Sequence, residues 1–253
     1  MNAEEIKLLI EIFGFYIILI LIGIGYIVTY LFGSRKMPII RDKILNALKP
    51  TLKGRVSKLK IIEHSEDSIE LKCEPKKQGI LAFSIFIMLW NRKMFHSWLI
   101  SKLMKEKDSL VFAAKFGVPG NVMPPDHELY IVPYRNKFVI KKKFEEFVKI
   151  DDIQTKSKFF NEHYMIKSTD LAKTRGLLND KKFHEMMKNL EPYITYIFIA
   201  PPETSKDPHI QYEFDFVEDP LILKQLTDVF FYIVDYYTAL RGYKAIKKKK
   251  SNK

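Results

Sequence analysis

The side chains best suited to metal binding, nucleophilic attack or proton transfer are scattered singly along this chain. The six histidines stand at positions 64, 96, 127, 163, 184 and 209. The segment HEMMK begins like a metalloprotease helix at His184, but Lys188 occupies the place of the second zinc ligand. The acid pairs at 145–146 and 151–152 are adjacent residues, which point apart on a helix and favour solvated faces. We therefore expect no catalytic site, no metal site and no cofactor.

Glycine and cysteine patterns point the same way. The sequence contains no phosphate-binding Walker loop, no dinucleotide-binding glycine set and no nucleophile elbow. The segment GVPG at Gly117 matches the GXXG string of RNA-binding KH domains, but it follows a predicted strand and contains a proline. Cys73 is the only cysteine, so no intramolecular disulfide is expected. We expect Cys73 to be a buried structural thiol. An enzyme is therefore the less favoured class.

The charge balance indicates which neighbours this protein attracts. Its 253 residues carry 42 Lys and Arg side chains against 30 Asp and Glu, which gives a net charge of +12. A cationic protein attracts polyanions, so RNA, the ribosome and anionic lipid headgroups are the expected neighbours. The length allows one sizeable folded domain in addition to the apolar segment described next.

An apolar segment near the N-terminus is long enough to cross a membrane. Residues 12–34 are 23 consecutive residues without a charge. As a helix they exceed the ~30 Å hydrocarbon layer. A cleavable signal peptide has a basic start, a shorter apolar core and a small-residue cleavage site, and none of these is present. We predict a transmembrane anchor with residues 1–11 outside the cytosol. Gly23 and Gly25 would allow a close helix neighbour, although they lack the spacing of a helix-packing motif.

The charges that flank this anchor predict its orientation. Residues 35–60 contain nine Lys and Arg side chains and a single acid, Asp42. Cationic segments next to a membrane span stay in the cytosol. Residues 35–240 are therefore predicted to form a cytosolic domain, followed by a basic tail over residues 241–253.

The first half of the predicted domain alternates between helix and strand patterns. After Pro38, the segment IIRDKILNALKP has helical spacing and is predicted to lie along the membrane or fold back onto the domain, ending at Pro50. Two alternating runs around the turn SEDS predict a hairpin over residues 55–75. The run GILAFSIFIMLW predicts a buried strand, with a second membrane crossing as the alternative. The helix that follows has an apolar face formed by Met94, Phe95, Trp98, Leu99 and Leu103.

The second half supplies more strands and helices. Strands are predicted in SLVFAAKF, ELYIVPY, YITYIFIA and HIQYEFDFV. Helices are predicted in RNKFVIKKKFEEFVKI, after Ser168 or Thr169, and after Asn179 or Asp180. The order lacks the regular βαβ alternation of a parallel sheet. We therefore predict an α+β domain with a mostly antiparallel sheet, packed helices and a long C-terminal helix.

The predicted C-terminal helix is apolar almost all round. Within residues 221–240, Lys224, Asp228 and Asp235 make a bilayer crossing costly. A helix that is apolar on every face must be covered on every face. Burial in the domain's own core is one prediction for this helix. The other is contact with a partner or the membrane through four aromatic residues, Phe230, Phe231, Tyr236 and Tyr237.

Two cationic clusters are predicted to contact ribosomal RNA or anionic lipid. One lies in the predicted basic helix and consists of Lys141, Lys142 and Lys143. The other lies in the tail and consists of Arg241, Lys244, Lys247, Lys248, Lys249 and Lys250. Near an anionic membrane each cation contributes about 1 kcal/mol, whereas contacts to nucleic acid phosphates are sensitive to salt. A solvated, frayed charge run is the alternative for the tail.

The order of these segments resembles the calumin family, membrane proteins of the endoplasmic reticulum that form the PAT complex with an Asterix subunit. The resemblance is carried by the tether with its basic flank and by GILAFSIFIMLWNRKMFHSWLISKLM, ELYIVPYRNKFVIKKKFEEFVKI and YEFDFVEDPLILKQLTDVFFYIVDYY. The family's acidic lumenal region and long charged coiled coil have no counterpart in these residues, so we assign no calcium-binding function.

The resemblance implies a non-enzymatic scaffold or chaperone factor that helps multipass membrane proteins insert. Its implied partners are the Sec translocon, the ribosome, a small Asterix-like membrane subunit and membrane lipids. The implied location is the endoplasmic reticulum membrane, or the plasma membrane of an archaeon. Two other classes compete with it: a membrane-anchored enzyme acting on lipid or peptide, with a deep cleft of convergent polar groups, and a protein that binds anionic lipid surfaces.

Overall fold

The chain folds into two compact units. One, the helical unit, consists of Met1–Lys43 and Leu89–Lys107, and the other, the sheet domain, consists of Ile44–Met88 and Asp108–Lys253. The division differs from the predicted boundaries because part of the predicted cytosolic domain groups with the apolar N-terminal segment. A computed structural model describes residues 3–76, 79–104, 107–117, 125–137, 140, 150–201 and 208–251.

The first helix, α1 (Ala3–Leu52), is long and apolar enough to cross a membrane. Its large apolar side chains between Ile12 and Phe32 are mostly exposed, as side chains facing lipid would be. In the helical unit α1 is accompanied by a shorter helix, α2 (Phe95–Met104). The predicted helix after Trp90 is therefore confirmed.

The helix predicted to begin after Pro38 is a continuation of α1. Proline in a helix interior removes one backbone hydrogen bond, yet the helix continues on both sides of Pro38. Three residues spaced by four, Ile44, Leu48 and Leu52, are buried, which is the pattern of a helix with one packed face. The predicted fold-back onto the domain is consistent with this burial.

The sheet domain is built on one antiparallel sheet with the order β1-β2-β3-β4-β8-β7-β5-β6. Together with the surrounding helices it confirms the predicted α+β fold with a mostly antiparallel sheet. The strands are β1 (Val56–Glu63), β2 (Ser68–Pro75), β3 (Ile80–Met88), β4 (Ser109–Phe116), β5 (Leu129–Pro133), β6 (Tyr164–Ser168), β7 (Ile194–Ile199) and β8 (Ile210–Asp215).

Two of the strand predictions rested on opposite kinds of pattern, and both are confirmed. The alternating runs around SEDS form the hairpin of β1 and β2, whose turn is closed by backbone bonds between His64, Ser65 and Ser68. The continuous apolar run forms β3, which pairs with β2 on one side and β4 on the other. A strand inside an open sheet cannot span a bilayer, where only helices and closed barrels satisfy their backbone groups, so the alternative of a second membrane crossing is wrong.

In the part of the sheet domain that the structure describes, the helices are short except for the last one. They are α3 (Lys158–His163), α4 (Leu171–Leu178), α5 (Lys181–Lys188) and α6 (Pro220–Ser251), with a 3-10 turn at Tyr134–Asn136. Asp170 caps α4, where Ser168 or Thr169 was predicted, while Asp180 caps α5 as predicted. Each aspartate accepts two backbone N–H hydrogen bonds at the start of its helix. The helix dipole stabilises a negatively charged cap there more than a neutral Ser, Thr or Asn side chain. Most of the predicted basic helix lies outside the described residues.

The hydrophobic core occupies both faces of the sheet at its β5 side. On one face Tyr130, Val132, Met165 and Tyr196 pack together with Ile140. All five residues of β5 are buried, because strand neighbours point to opposite faces and both faces are covered. The other face carries the phenylalanines that meet α6, described next.

Candidate functional site

The aromatic residues of α6 lie in the core of the sheet domain. The ring of Phe230 stacks on Phe83 of β3 at 5.2 Å between centroids and meets Phe112 of β4 edge-on at 5.3 Å. Phe231 contacts Phe83 at 5.4 Å, and the Arg55 guanidinium lies 4.4 Å from the Phe231 ring centroid. Phe230 and Phe231 are 1% and 5% exposed. This corrects the predicted contact surface: burial in the domain's own core is the arrangement found.

The opposite side of α6 is covered by helices. The ring of Tyr232 is parallel to that of Phe183 in α5, and its hydroxyl donates to Asp180 at 2.7 Å. Tyr236 is half-buried beside Gly176 of α4, where an added Cβ would lie 2.0 Å from the Tyr236 hydroxyl. Sheet and helices together therefore cover the all-round apolar surface that the sequence displays. Tyr236 keeps partial access to solvent.

The predicted cationic contacts fall at the margins of the described structure. Lys141, Lys142 and Lys143 lie outside the described residues. Arg241, Lys244 and the run Lys247–Lys250 follow the buried part of α6, and their backbone continues that helix to Ser251. A helical backbone here differs from the frayed tail considered from sequence. RNA or lipid contact by these cations stays a prediction.

One cluster of titratable side chains, centred on His127, escaped the sequence analysis. The His127 ring is 4% exposed, with Nε2 3.1 Å from the Tyr237 hydroxyl and Nδ1 3.2 Å from the Asp126 carboxylate. Lys173 donates to the other Asp126 oxygen at 2.8 Å and pairs with Asp170 at 3.2 Å. These contacts connect the approach to β5, the first turn of α4 and the middle of α6.

The protonation states in this cluster follow from burial and from the lysine. Burial lowers the pKa of His127, an effect that the Asp126 carboxylate partly opposes. The hydrogen bond from Lys173 lowers the pKa of Asp126 to about 2. An acid, an imidazole and a hydroxyl in series resemble a proton relay, but Tyr237 is 2% exposed and its hydroxyl offers no open position to a substrate. We interpret the cluster as a polar tie that holds α6 in place.

The described residues contain no group of three or more His, Cys, Asp or Glu side chains suited to a metal ion. Cys73 is buried, which raises its pKa to about 12 and leaves it a poor nucleophile. Glu70, also buried, accepts from Ser84 at 2.7 Å and lies 3.1 Å from the His64 ring. The Glu70 carboxylate is therefore already hydrogen-bonded to neighbouring side chains of the sheet domain.

The helical unit is held by a close approach between α1 and the segment before α2. A Cβ added at Gly33 would lie 2.5 Å from the carbonyl oxygen of Arg92, and one at Gly25 would lie 3.0 Å from the Phe95 ring. Between them Thr29 is buried and bonds its hydroxyl back to the Gly25 carbonyl at 2.8 Å. Glycines at both positions allow the chain to pack directly on the α1 backbone.

Polar and aromatic contacts fix the same segment against α1. The Tyr26 hydroxyl lies 3.1 Å from His96 Nδ1, and the Tyr26 ring lies 5.6 Å from that of Phe95. Trp90 donates its indole N–H to the Ser97 carbonyl at 2.9 Å. Phe95 therefore sits beside the apolar part of α1, well before the first cation of its basic flank at Arg35.

The predicted apolar face of α2 is exposed. Phe95 is half-buried against α1, but Met94, Trp98, Leu99 and Leu103, with Ile100 beside them, keep large exposed fractions, from 36% at Trp98 to 75% at Leu103. A soluble helix would bury such a face. Exposed apolar patches of this kind mark contacts with a membrane or another protein.

A cleft of about 740 Å³ lies between α1 and α2. Its walls are apolar side chains and glycine backbone, chiefly Val28, Phe32, Phe95 and Trp98. Its polar lining comes from Thr29, Trp90, Ser101 and the three cations Lys36, Arg92 and Lys102. The volume is within the range of small-molecule and cofactor pockets.

A signal for this packing was present in the sequence and was missed. Gly25, Thr29 and Gly33 recur every fourth residue, which is the small-xxx-small spacing that brings helices together. The prediction considered Gly23 with Gly25 instead. Gly23 meets nothing within 4 Å of an added Cβ.

In comparisons with protein-family models and with curated proteins, no match to this chain was found. Membership of the calumin family therefore stays a prediction from the resemblance in segment order.

Proposed function

We propose that this protein is a single-pass membrane scaffold whose sheet domain works in the cytosol. The observation that carries the proposal is α1, an exposed apolar helix of membrane-spanning length. It is followed by a basic flank from Arg35 onward. Cations next to a span remain on the cytosolic side, so the sheet domain belongs to that side and the N-terminus to the other.

The proposed site of action is the Sec translocon with a bound ribosome, where the scaffold helps multipass membrane proteins insert. The resemblance to the calumin family supports this, and it adds a small Asterix-like subunit as a membrane partner. The membrane is that of the endoplasmic reticulum, or the plasma membrane in an archaeon. The net charge of +12 suits a position beside ribosomal RNA.

The proposed mechanism is steric and electrostatic. Phe230, Phe231 and Tyr237 are buried inside the sheet domain. The contacts with the translocon and the ribosome are therefore assigned to the cationic side chains. The run Lys247–Lys250 extends α6 beyond its buried part and would meet RNA phosphates, and Lys141–Lys143 would add a second contact. Each phosphate contact adds a salt-sensitive increment to the affinity.

Photo-crosslinking in native membranes tests this proposal. A photoreactive residue at position 247 is expected to capture translocon or ribosomal components. The same residue at Lys58, an exposed cation of β1, is the matched control and should capture fewer of them. Recovery of no translocon or ribosomal component from position 247 would contradict the proposed site of action.

Orientation is tested separately, with sealed vesicles that carry the full chain. Protease added on the cytosolic side should degrade the sheet domain, and carbonate washing should leave the protein in the membrane. Survival of the domain or release by carbonate would contradict the proposed anchoring, whatever the crosslinking shows.

A second candidate function is binding to anionic lipid surfaces. The exposed apolar face of α2 favours it, since this face has no counterpart in a scaffold that touches the membrane through α1 alone. The two candidates differ in a ribosome co-sedimentation assay with the detergent-solubilised full chain. Binding that falls steeply with salt supports the scaffold, and absence of binding at low salt supports the lipid-surface function.

A further inference from the structure

The cleft of the helical unit combines apolar walls with cationic side chains. Phe32 and Trp98 give it apolar walls, and Lys36 and Lys102 line it with positive charge. Arg92 adds a third cation, oriented by a bond from its guanidinium to the Trp90 carbonyl at 3.1 Å. Among the described residues that line the cleft, none has an acidic side chain.

The apolar walls lie at the depth of lipid acyl chains if α1 spans a membrane. Gly25 precedes Ser34, the last residue of the uncharged segment, by nine residues. At 1.5 Å per residue that distance is about 13 Å along the helix, close to the half-thickness of a ~30 Å hydrocarbon layer. Phe95, which contacts Gly25, would therefore reach well into the cytosolic leaflet.

The cations lie where lipid headgroups would be. Lys36 follows the uncharged segment of α1 by two residues. Lys93 lies 5.9 Å from the ring of Tyr30, an aromatic residue of the kind that occupies membrane interfaces. The cleft therefore presents apolar side chains at acyl-chain depth and, at Lys36, a cation at headgroup depth, which is the complement of an anionic phospholipid.

We propose that the cleft between α1 and α2 binds one anionic phospholipid of the cytosolic leaflet. An acyl chain lies between Phe32 and Trp98, and the phosphate is held by Lys36 and Lys102 with Arg92 behind them. The inference rests on the proposed membrane anchoring, and it adds a selective ligand. A zwitterionic phospholipid also carries a phosphate, but its headgroup cation would face Lys36 and Lys102, so a headgroup with net negative charge is favoured.

The two tryptophans of the chain provide the probe, because Trp90 and Trp98 both line the cleft. The full chain is reconstituted into phosphatidylcholine vesicles that contain increasing fractions of brominated phosphatidylglycerol. Bromine on the acyl chains quenches tryptophan fluorescence on contact. A matched series of vesicles has the same phosphatidylglycerol content, but there the phosphatidylglycerol carries no bromine. An equal amount of brominated phosphatidylcholine is present instead.

The expected result is half-maximal quenching at a lower fraction of brominated phosphatidylglycerol than of brominated phosphatidylcholine. Lys36→Gln and Lys102→Gln should each raise the required phosphatidylglycerol fraction about fivefold, the factor that corresponds to about 1 kcal/mol per cation near anionic lipid. Arg35→Gln is the matched control. It removes the same charge from the neighbouring position of α1, but Arg35 does not line the cleft, so it should keep the preference.

Each other outcome overturns the inference in a recognisable way. Equal quenching by the two lipids would show a membrane-embedded cleft without headgroup selectivity. Loss of preference in Arg35→Gln as well would show general surface attraction. Absence of quenching in protein that resists carbonate washing would show a cleft covered by something other than lipid, such as a second copy of the chain. Absence of quenching in protein that carbonate releases would instead contradict the anchoring on which the inference rests.

Discussion

The two apolar helices α2 and α6 have opposite surroundings. From Leu223 to Thr238, α6 has strands on one side and helices on the other, and most of its apolar side chains are buried. By contrast, α2 packs on α1 near Phe95 and leaves Met94, Leu99 and Leu103 exposed. The sequence of each helix is rich in aromatic and aliphatic residues, so composition alone does not separate them.

The difference teaches that the neighbours of an apolar helix decide its role. For α6 the cover is provided by this chain, so its residues stabilise the fold. For α2 the described chain provides cover on one side only, and its exposed side suits lipid. Four predictions, each with its control substitution, test how α6 is covered and how α2 differs from it, in order of expected effect on stability.

The largest effect is expected for Phe230→Ala. Removing a fully buried ring leaves a cavity between Phe83 and Phe112, and such substitutions cost about 3–5 kcal/mol. The matched substitution in α2 is Leu103→Ala, where the side chain is 75% exposed, and it should change stability by less than about 0.5 kcal/mol. Urea unfolding of the full chain in detergent, followed by far-UV circular dichroism, measures both. Similar losses of stability for Phe230→Ala and Leu103→Ala would contradict the difference described between α6 and α2.

Gly176→Ala is expected to be next. The added Cβ would lie 2.0 Å from the Tyr236 hydroxyl, so either the Tyr236 side chain or the two helices α4 and α6 must shift. Overpacking of this kind costs about 1–3 kcal/mol. Tyr236→Phe removes the clashing oxygen, and the double variant should recover most of the loss in the same unfolding assay. No recovery would mean that α4 and α6 are not packed through this pair.

Asp180→Ala should cost about 1–2 kcal/mol, because Asp180 both caps α5 and accepts a bond from Tyr232 of α6. The hydroxyl of Tyr232 is the main cause of a lowered Asp180 pKa. Asp180→Asn keeps an acceptor for the cap and should cost less. Thermal unfolding of the two variants side by side provides the measurement, and equal losses would contradict the capping contribution.

The smallest effect concerns pH and His127. Burial lowers the pKa of this imidazole in the folded state below the ordinary value of about 6.5. The unfolded chain therefore binds the proton more readily, so stability is complete above about pH 6.5 and falls on acidification through the folded-state pKa. His127→Gln should flatten the stability profile between pH 7 and 5.

His127 and Asp126 titrate in different pH ranges, so their contributions to stability can be measured separately. Asp126 has a pKa of about 2 in the folded state, so its contribution is complete above its unfolded value of about 4 and is lost only below that. Lys173→Gln should therefore act on the profile below pH 4, and leave most of the pH 7 to 5 slope. An unchanged slope in His127→Gln would contradict a buried neutral imidazole.

The sheet could be predicted well because its signals are local. The turn SEDS and the alternation around it define β1 and β2, and the two prolines after Ala200 agree with the end of β7 at Ile199. Even β3, which lacks alternation in its sequence, was recognisable as too short for a membrane crossing. These features depend on residues within a few positions of each other.

The features that could not be predicted depend on residues far apart in the sequence. The partner of Gly33 is Arg92, and the partner of His127 is Tyr237. The spacing of Gly25 and Gly33 indicates a packed face on α1, but it does not identify the residues that pack there. For His127, no pattern in the neighbouring residues indicates a buried imidazole. The contact role assigned to Phe230 and Phe231 failed for the same reason, since the phenylalanines that cover them belong to β3 and β4.

The position of α6 has a consequence for synthesis of the protein on the ribosome. Phe83 and Phe112 are made early, but the side chains that cover them come from residues 220–238. While translation is under way, this half of the interior stays open to water and to other chains, as in other incompletely folded intermediates. The apolar segment of α1 emerges long before, so under the proposed membrane anchoring the nascent polypeptide would reach the bilayer first and close its interior only near the end of translation.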